Sequence, residues 1–284
     1  MPFKADALPT PAIVEIDGAA IATYVLEPPR GRRKGPDVVC THGTPWSAGV
    51  WLPVARRLAE RHRVFLWDMP GYGRSTKGPE VPVDLIAQRQ RFAELVRIWN
   101  PVRPHVLAHD IGGAVTLGAH LFDGVAMSGV YLLDAVTLRP WGSAFFALVG
   151  RHAEVFQQLP ADLHEALVHR YIAGAAVVDL PHDTVRGLVE PWLGEVGQAA
   201  FYRQVAQLSE DHTEPICARL ADVTCRVEIG WGVNDPWLPV EQAGRLRDAL
   251  PGDVVVTLLD GVGHLAPLER TEELVGHIRR WLAR

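Results

Sequence analysis

The sequence predicts an α/β fold in which a mostly parallel sheet is covered by helices on both faces and carries an inserted helical cap. Three observations predict this fold. Short apolar, β-branched runs alternate with longer helical patterns in the first half of the 284-residue chain. This alternation stops after Asp134 and resumes near Val227. The sequence between these points is helical in pattern, rich in aromatic residues and interrupted by proline. Strands that are buried on both faces and joined by helices are typical of parallel sheets.

The first half of the chain supplies six predicted strands. The first two form a hairpin that turns at Gly18, and four apolar runs bounded by Gly, Pro or Asp follow it. The six strands are Ala12–Asp17, Ile21–Leu26, Val38–Thr41, Val64–Asp68, His105–Ala108 and Val130–Asp134. Helical periodicity lies between them, at Trp51–Arg61, Asp84–Trp99 and Gly113–Leu121.

No good strand pattern is found from about residue 137 to residue 215. Helical segments there are broken by Pro140, Pro160, Pro181 and Pro191. The strand–helix alternation then returns, with strands at Val227–Trp231 and Val254–Leu258 and helices at Val240–Leu250 and Glu269–Leu282. We therefore expect residues 1–136 and 216–284 to form one α/β core, with residues 137–215 as a helical cap inserted after the sixth strand.

Composition narrows the class of protein. An apolar content of 48% is enough to bury a substantial core. The net charge of −5 and the scattered Lys and Arg argue against a nucleic-acid surface. Residues 1–11 lack a signal-peptide pattern, and no run of about 18 apolar residues predicts a membrane span. The three cysteines lack metal-ligand spacing. We expect a cytoplasmic protein without metal or cofactor that acts on a small molecule and water, as a monomer or a homodimer.

A sharp turn between a predicted strand and a predicted helix carries the most informative motif. A residue held above a sheet at such a turn needs small neighbours, and Ala108, Gly112 and Gly113 supply them. Asp110 occupies the apex, and the N–H of Ile111 at the start of the helix points toward its carboxylate. The pattern predicts that Asp110 is a nucleophile, and an N-cap role for the same side chain is the alternative.

With this turn the sequence resembles the α/β-hydrolase superfamily, and the resemblance extends over nearly the whole chain. It is most similar to the branch of epoxide hydrolases and haloalkane dehalogenases, which carry His-Asp here, as His109 and Asp110 do. The resemblance implies the α/β-hydrolase fold. It also implies a role for the loop at residues 42–45, which matches the family's His-Gly-x-Pro motif. The N–H of residue x, Thr44 in this chain, joins that of Ile111 in the family's oxyanion hole.

Two later loops match the family's acid and base. Asp235 follows the strand ending at Trp231, where the family places the acid that orients the catalytic histidine, and His264 completes a Gly-x-Gly-His motif. The order Asp110, Asp235, His264 is the family order of nucleophile, acid and base. A carboxylate on one imidazole nitrogen leaves the other free to take a proton from water. Asp134 stays open as an alternative acid, because some haloalkane dehalogenases take theirs from the end of the sixth strand.

An aspartate nucleophile determines which reactions are feasible. Its attack on an ester carbonyl would give a mixed anhydride, whereas displacement at a saturated carbon gives a stable alkyl ester. Water activated by His264 then attacks the carbonyl carbon of that ester, and the oxyanion-hole donors stabilise the tetrahedral intermediate. Epoxides and alkyl halides both fit this scheme. The helical cap is expected to hold the groups that receive the leaving group.

The leaving group distinguishes the two substrate classes. An epoxide oxygen leaves as an alkoxide and needs an acid, which this family usually takes from cap tyrosines. Tyr202 lies in a segment that resembles the family's aromatic-Tyr-Arg motif, and Tyr171 is the second cap tyrosine. A halide needs N–H donors instead. Relatives that remove halides usually carry Trp after the nucleophile and many carry Asn in the oxyanion loop, where this chain has Ile111 and Thr44.

The sequence therefore favours an epoxide hydrolase acting on a small or medium apolar epoxide, with a haloalkane dehalogenase as the alternative. A fluoroacetate dehalogenase is disfavoured, since no arginine follows Asp110. Four aromatic residues are expected to line the substrate pocket, namely Trp46, Trp141, Tyr171 and Trp192. Trp141 and Trp192 also remain candidates for halide binding. A third hypothesis is a hydrolase-like ligand receptor that does not turn over, and covalent trapping of a substrate would distinguish it from the enzymes.

Overall fold

An eight-stranded sheet forms the centre of the molecule in the computed structural model, which describes residues 8–284. The first seven residues, where the predicted core begins, lie outside the described residues. The strands are β1 (Ala12–Ile16), β2 (Ala19–Leu26), β3 (Val38–Thr41), β4 (Val64–Trp67), β5 (His105–His109), β6 (Gly129–Leu133), β7 (Arg226–Gly232) and β8 (Val255–Leu259). Their spatial order is β1-β2-β4-β3-β5-β6-β7-β8.

Strand pairing is antiparallel at one edge of this sheet and parallel elsewhere. The β1–β2 and β2–β4 pairs are antiparallel, and the remaining pairs from β4 to β8 are parallel. Every residue of β3, β4 and β6 is buried, as expected for strands covered on both faces. The edge strand β8 is largely exposed or half-buried. The fold class predicted from the sequence is confirmed.

Helices from both halves of the chain cover this sheet. They are α1 (Leu52–Leu58), α2 (Leu85–Trp99), α3 (Ile111–Phe122), α9 (Glu241–Ala249), α10 (Ala266–Glu269) and α11 (Thr271–Leu282). The helix α3 begins at Ile111, two residues earlier than its periodicity predicts, because the turn at Asp110 leads directly into it. The final helix begins at Thr271 because the preceding residue, Arg270, has a non-helical backbone.

The chain between β6 and β7 is helical. It forms α4 (Ala144–Phe156), α5 (Ala161–Ala173), α6 (His182–Val189), α7 (Gly194–Gln207) and α8 (Glu214–Cys217), and the described structure has no strand between Leu133 and Arg226. We call residues 137–215 the helical segment. Within it α4 packs on α7, and α5 packs on α6. Over residues 8–284, no helix has both the length and the apolar character needed to cross a bilayer.

The helical segment contacts loops at the carboxyl ends of the strands. The indole Nε1 of Trp192 donates to the carbonyl of Pro45, 2.9 Å away, in the loop after β3. The N–H of His264, in the loop after β8, donates to the carbonyl of Ala175 at 2.9 Å. Binding sites of open parallel sheets form at the carboxyl ends of the strands. The helical segment therefore covers the place where the sequence motifs predict the site.

Candidate active site

The turn after β5 holds Asp110 in a backbone conformation that few non-glycine residues adopt. Its φ is 54° and its ψ is −127°. Such a conformation costs free energy and is commonly found at functional sites. The turn is possible because the second and third residues after Asp110 are glycines. A Cβ on Gly112 would lie 2.6 Å from the carbonyl oxygen of His42, and one on Gly113 would lie 2.7 Å from the Cβ of Ala135.

The Asp110 carboxylate is held asymmetrically. The backbone N–H of Thr44 donates to its Oδ1 at 2.7 Å, and the N–H of Ile111 also bonds the carboxylate. Its Oδ2 lies 3.6 Å from the Nε2 of His264. The loop after β3 can approach this closely because Gly43 has no side chain. A Cβ there would be 2.3 Å from the Cβ of Asp110. The structure thus places both N–H groups that were assigned to the oxyanion hole beside Asp110.

His264 lies between two carboxylates. Its Nδ1 is 2.7 Å from the Oδ2 of Asp235, so the hydrogen of the neutral imidazole is placed on Nδ1. Its buried Nε2, on the side of Asp110, has no hydrogen-bond partner among the described residues. Asp235 is itself fixed, since its Oδ1 accepts from the N–H groups of Trp237 and Leu238 at 2.7 and 3.0 Å. The three side chains of the predicted triad are therefore brought together.

The alternative acid, Asp134, is placed differently. It is fully buried at the end of β6, with a φ of 42°, and its Oδ1 accepts from the N–H of Gly232 at 2.7 Å. Its Oδ2 has no partner among the described residues. Burial, and then the negative charge of Asp235, raise the pKa of Asp134 well above its usual range. The geometry favours Asp235 as the residue that orients His264, because Asp235 contacts the imidazole directly and Asp134 is bonded to the backbone of Gly232.

Burial and charge shift the pKa values of nucleophile and base. Burial raises the pKa of Asp110 to about 6, although the charge of His264 and the N–H bonds from Ile111 and Thr44 act in the opposite direction. Burial by itself would lower the pKa of His264. The charge and hydrogen bond of Asp235, with the charge of Asp110, outweigh that effect and raise the pKa to about 9. The charged forms of Asp110 and His264 thus stabilise each other, which favours an imidazolium beside a carboxylate.

A small cavity of about 30 Å³ lies against Asp110. Its walls are largely aromatic and include Trp141, Phe146, Tyr171 and Trp237, with Thr44 beside the nucleophile. Two of the expected pocket residues, Trp141 and Tyr171, therefore do line the cavity.

The other two expected pocket residues lie outside the cavity wall. Trp192 is buried, and its indole N–H is used by the carbonyl of Pro45. Trp46 is buried behind Trp237, with which it stacks at a centroid distance of 5.5 Å and an interplanar angle of 7°. Trp237 stacks in turn on Tyr171 at 4.7 Å and 18°. This aromatic stack of Trp46, Trp237 and Tyr171 connects the loop after β3, the loop after β7 and helix α5 around the site.

Tyr202 is not where its motif predicts. Its hydroxyl is 2.8 Å from the Nδ1 of His164, whose Nε2 is 2.8 Å from the carbonyl oxygen of Trp192. A carbonyl oxygen can only accept, so Nε2 carries the hydrogen and Nδ1 of the neutral ring accepts from Tyr202. Burial lowers the pKa of His164, which keeps the ring neutral. The phenol proton of Tyr202 is therefore used within the helical segment, and the tyrosine in the cavity wall is Tyr171.

Two polar residues near the nucleophile were not among the predicted site residues. The Oε1 of Gln204, on α7, lies 2.7 Å from the Oγ1 of Thr44 and 2.8 Å from the hydroxyl of Tyr72. Burial raises the pKa of Tyr72, and the charge of Asp110 raises it further. Tyr72 belongs to the Gly-Tyr-Gly loop after β4. Only the folded packing reveals that its hydroxyl approaches the site. In residues 8–284 no His, Cys, Asp and Glu side chains cluster as metal ligands.

Comparisons with known proteins agree with this architecture. A solved α/β-hydrolase fold protein from Burkholderia ambifaria is 39% identical, with a TM-score of 0.89 over 95% of this chain and 97% of that one. The pimeloyl-[acyl-carrier protein] methyl ester esterase of Aeromonas hydrophila is 30% identical, over 80% of this chain and 83% of its own. A haloalkane dehalogenase from Bradyrhizobium elkani shares the fold at 18% identity, with a TM-score of 0.77 over 96% and 97% of the two chains. The model of the alpha/beta hydrolase family matches residues 38–277, and the protein belongs to that family.

Proposed function

We propose that this member of the alpha/beta hydrolase family forms and then hydrolyses an alkyl ester on Asp110. The observation that carries the proposal is the asymmetric carboxylate. One oxygen is held by the N–H of Thr44 at 2.7 Å, and the other lies 3.6 Å from a histidine nitrogen without a partner. The held oxygen is where a tetrahedral intermediate would develop negative charge, and the second oxygen has the freedom to attack carbon.

In the first step the Oδ2 of Asp110 attacks a saturated carbon, and the bond from that carbon to the leaving group breaks. In the second step water attacks the carbonyl carbon of the ester and gives one proton to the Nε2 of His264. The tetrahedral intermediate collapses, the ester C–O bond breaks, and the product alcohol takes that proton. Asp110 is left as a carboxylic acid with one oxygen from water, and its proton passes to His264, which restores the carboxylate and the imidazolium of the starting state.

Charge coupling in the triad allows His264 to change roles between the two steps. In the free enzyme the negative charge of Asp110 contributes to the raised pKa of His264. Ester formation removes that charge, so the pKa of His264 falls and the imidazolium can release its proton. When a cavity tyrosine protonates an alkoxide leaving group, the proton released by His264 converts the resulting phenolate back to the phenol. His264 then has the neutral form that a general base requires.

Two observations favour an epoxide over a halide as the substrate: the place of Tyr171 and the hydrogen bonds of the two candidate indoles. Tyr171 lines the cavity with Asp110, and an alkoxide needs such a phenol as its acid. Both candidate indoles for a halide are engaged, because the Nε1 of Trp141 donates to the Oγ1 of Thr213 at 3.1 Å and that of Trp192 to a backbone carbonyl. We therefore propose Tyr171, in place of Tyr202, as the acid of an epoxide hydrolase. Dehalogenation is the alternative.

Acyl transfer, as indicated by the name of the Aeromonas relative, is disfavoured by the carboxylate at the apex. Attack of Asp110 on an ester carbonyl would give a mixed anhydride. The proposed chemistry needs one small-molecule substrate and water, and it uses no metal or cofactor.

The test is a single turnover in water enriched in ¹⁸O, with enzyme in excess over styrene oxide. The label is expected in the peptide that contains Asp110 and not in the first diol formed. A matched control is Asp110→Asn, which should form neither product nor ester. Label in the first diol would show that water attacks the substrate directly and would refute the proposal. A parallel panel of alkyl bromides decides between epoxide and halide.

A further inference from the structure

The loop that carries the base, residues 263–265, is held by a single buried side chain outside the triad. The N–H of Gly263 donates to the Oε2 of Glu269 at 3.1 Å, and the N–H of Leu265 donates to its Oε1 at 3.0 Å. Glu269 is only 9% exposed. The N–H between these two, that of His264, bonds the carbonyl of Ala175 at 2.9 Å. The backbone on both sides of the base is thus fixed by Glu269.

The same carboxylate also reaches the helical segment. Its Oε2 accepts a third bond, from the N–H of Val177 at 3.0 Å. Val177 follows α5, the helix that carries Tyr171. The two chain segments touch closely, since a Cβ on Gly263 would lie 2.8 Å from the carbonyl oxygen of Ala175 and 2.9 Å from the N of Val177. Glu269 lies where the base loop meets the end of α5.

We propose that Glu269 is a positioning residue that ties the base loop to residues 175–177 and so fixes His264 and Tyr171 relative to each other. The inference rests on the proposed function, in which these two residues act on the same substrate. Glu269 does not touch the reacting atoms. It acts through the backbone on both sides of the site, so its loss should affect ring opening and ester hydrolysis together.

The chemistry of the side chain suits this task. An ionised carboxylate only accepts hydrogen bonds and has lone pairs for all three N–H groups. In Glu269→Gln the shape is nearly unchanged, but one oxygen becomes an NH₂ group that cannot accept. Whichever way the amide turns, a donor faces the N–H of Leu265 or the N–H groups of Gly263 and Val177. At least one buried backbone donor then loses its partner.

The test compares Glu269→Gln with Asp37→Asn in the full-length chain. Asp37 is also a buried carboxylate, 2% exposed, and its Oδ2 accepts from the N–H of Val102 at 3.4 Å. It precedes β3 and so lies at the amino ends of the parallel strands, whereas the site lies at their carboxyl ends. Three quantities are measured on both variants and the wild type: the melting temperature, the single-turnover rates of ester formation and hydrolysis with styrene oxide, and backbone hydrogen exchange by mass spectrometry.

In Glu269→Gln we expect faster exchange in the peptides covering residues 174–178 and 261–266, and both rates reduced by about 10²-fold, the effect of a misplacement near 1 Å. Asp37→Asn should lower the melting temperature without changing either rate per folded molecule. Unchanged rates in Glu269→Gln, with or without a lower melting temperature, would overturn the inference. If Glu269→Gln does not fold, Glu269→Asp shortens the side chain, keeps its charge and should give the same pattern.

Failure of the proposed function gives a different result. In that case wild-type enzyme forms no ester on Asp110 at all. An ester that forms normally in the wild type and also in Glu269→Gln contradicts the positioning role alone.

Discussion

Replacement of Tyr171 by Phe is the sharpest test of the leaving-group assignment. The substitution removes only the hydroxyl. The ring can keep its stack on Trp237, at a centroid distance of 4.7 Å, and its contact with Phe145 at 5.0 Å. We therefore expect the free energy of unfolding to change by less than about 0.5 kcal/mol. Loss of a positioned general acid should slow ring opening about 10²–10⁴-fold.

Tyr202→Phe is the matched control because it removes the same atom from a different environment. The Nδ1 of His164 loses the hydroxyl that lies 2.8 Å away and remains a buried acceptor. That loss should cost about 1–3 kcal/mol of stability. The cavity wall does not include Tyr202, so ring opening should stay close to the wild-type rate. The two variants are thus expected to separate catalysis from stability.

The assay is single-turnover ring opening of styrene oxide, followed by formation of the covalent adduct, together with thermal unfolding of each variant. Release of bromide from an alkyl bromide serves as an internal reference, because a halide leaves without a proton. Tyr171→Phe should retain any bromide release while losing epoxide turnover. Wild-type epoxide turnover in Tyr171→Phe, combined with a large loss in Tyr202→Phe, would refute the assignment and restore the acid predicted from the sequence.

Three further predictions follow from the triad. In His264→Gln, ester formation should proceed without hydrolysis, so the intact mass should rise by one substrate, and a protein that turns over without accumulating an adduct would remove His264 from the mechanism. Asp235→Asn should slow ester hydrolysis far more than Asp134→Asn, because the Nδ1 of His264 lies 2.7 Å from Asp235, and the reverse order in a rapid-quench assay would make Asp134 the acid. Since protonated Asp110 is not a nucleophile, the rate of ester formation should rise with pH and reach half its maximum near pH 6, whereas a flat profile through that region would contradict the raised pKa.

The sequence predicts the sheet well because a strand buried on both faces can be recognised from a short run of apolar residues. Runs such as Val38–Thr41 are entirely apolar or β-branched and are bounded by turn residues, and the structure keeps these bounds unchanged. The turn that carries Asp110 can also be recognised locally, since its geometry demands small residues at fixed sequence positions relative to Asp110. The proposed acid and base, Asp235 and His264, are identified by the family resemblance of their order along the chain and of the loops that carry them.

The residues around the leaving group depend on contacts between distant parts of the chain. Tyr202 has the expected motif, but its hydroxyl is directed by His164, which lies 38 positions earlier on a neighbouring helix. Gln204 meets Thr44 across 160 positions. No periodicity or motif records such pairs, because they arise when helices pack on one another. A sequence motif can therefore identify a helix without identifying which of its side chains faces the substrate.

If the proposed ester forms on Asp110, the aromatic stack should report that step through its fluorescence. The indole rings of Trp46 and Trp237 lie 6.3 and 5.0 Å from the imidazole of His264, measured between centroids. A protonated imidazole quenches the fluorescence of a neighbouring indole, and the neutral ring does so far less. Two of the nine tryptophans should therefore be dim while His264 is charged and brighten when ester formation releases its proton. Emission would then follow the lifetime of the covalent intermediate in real time, without a labelled substrate.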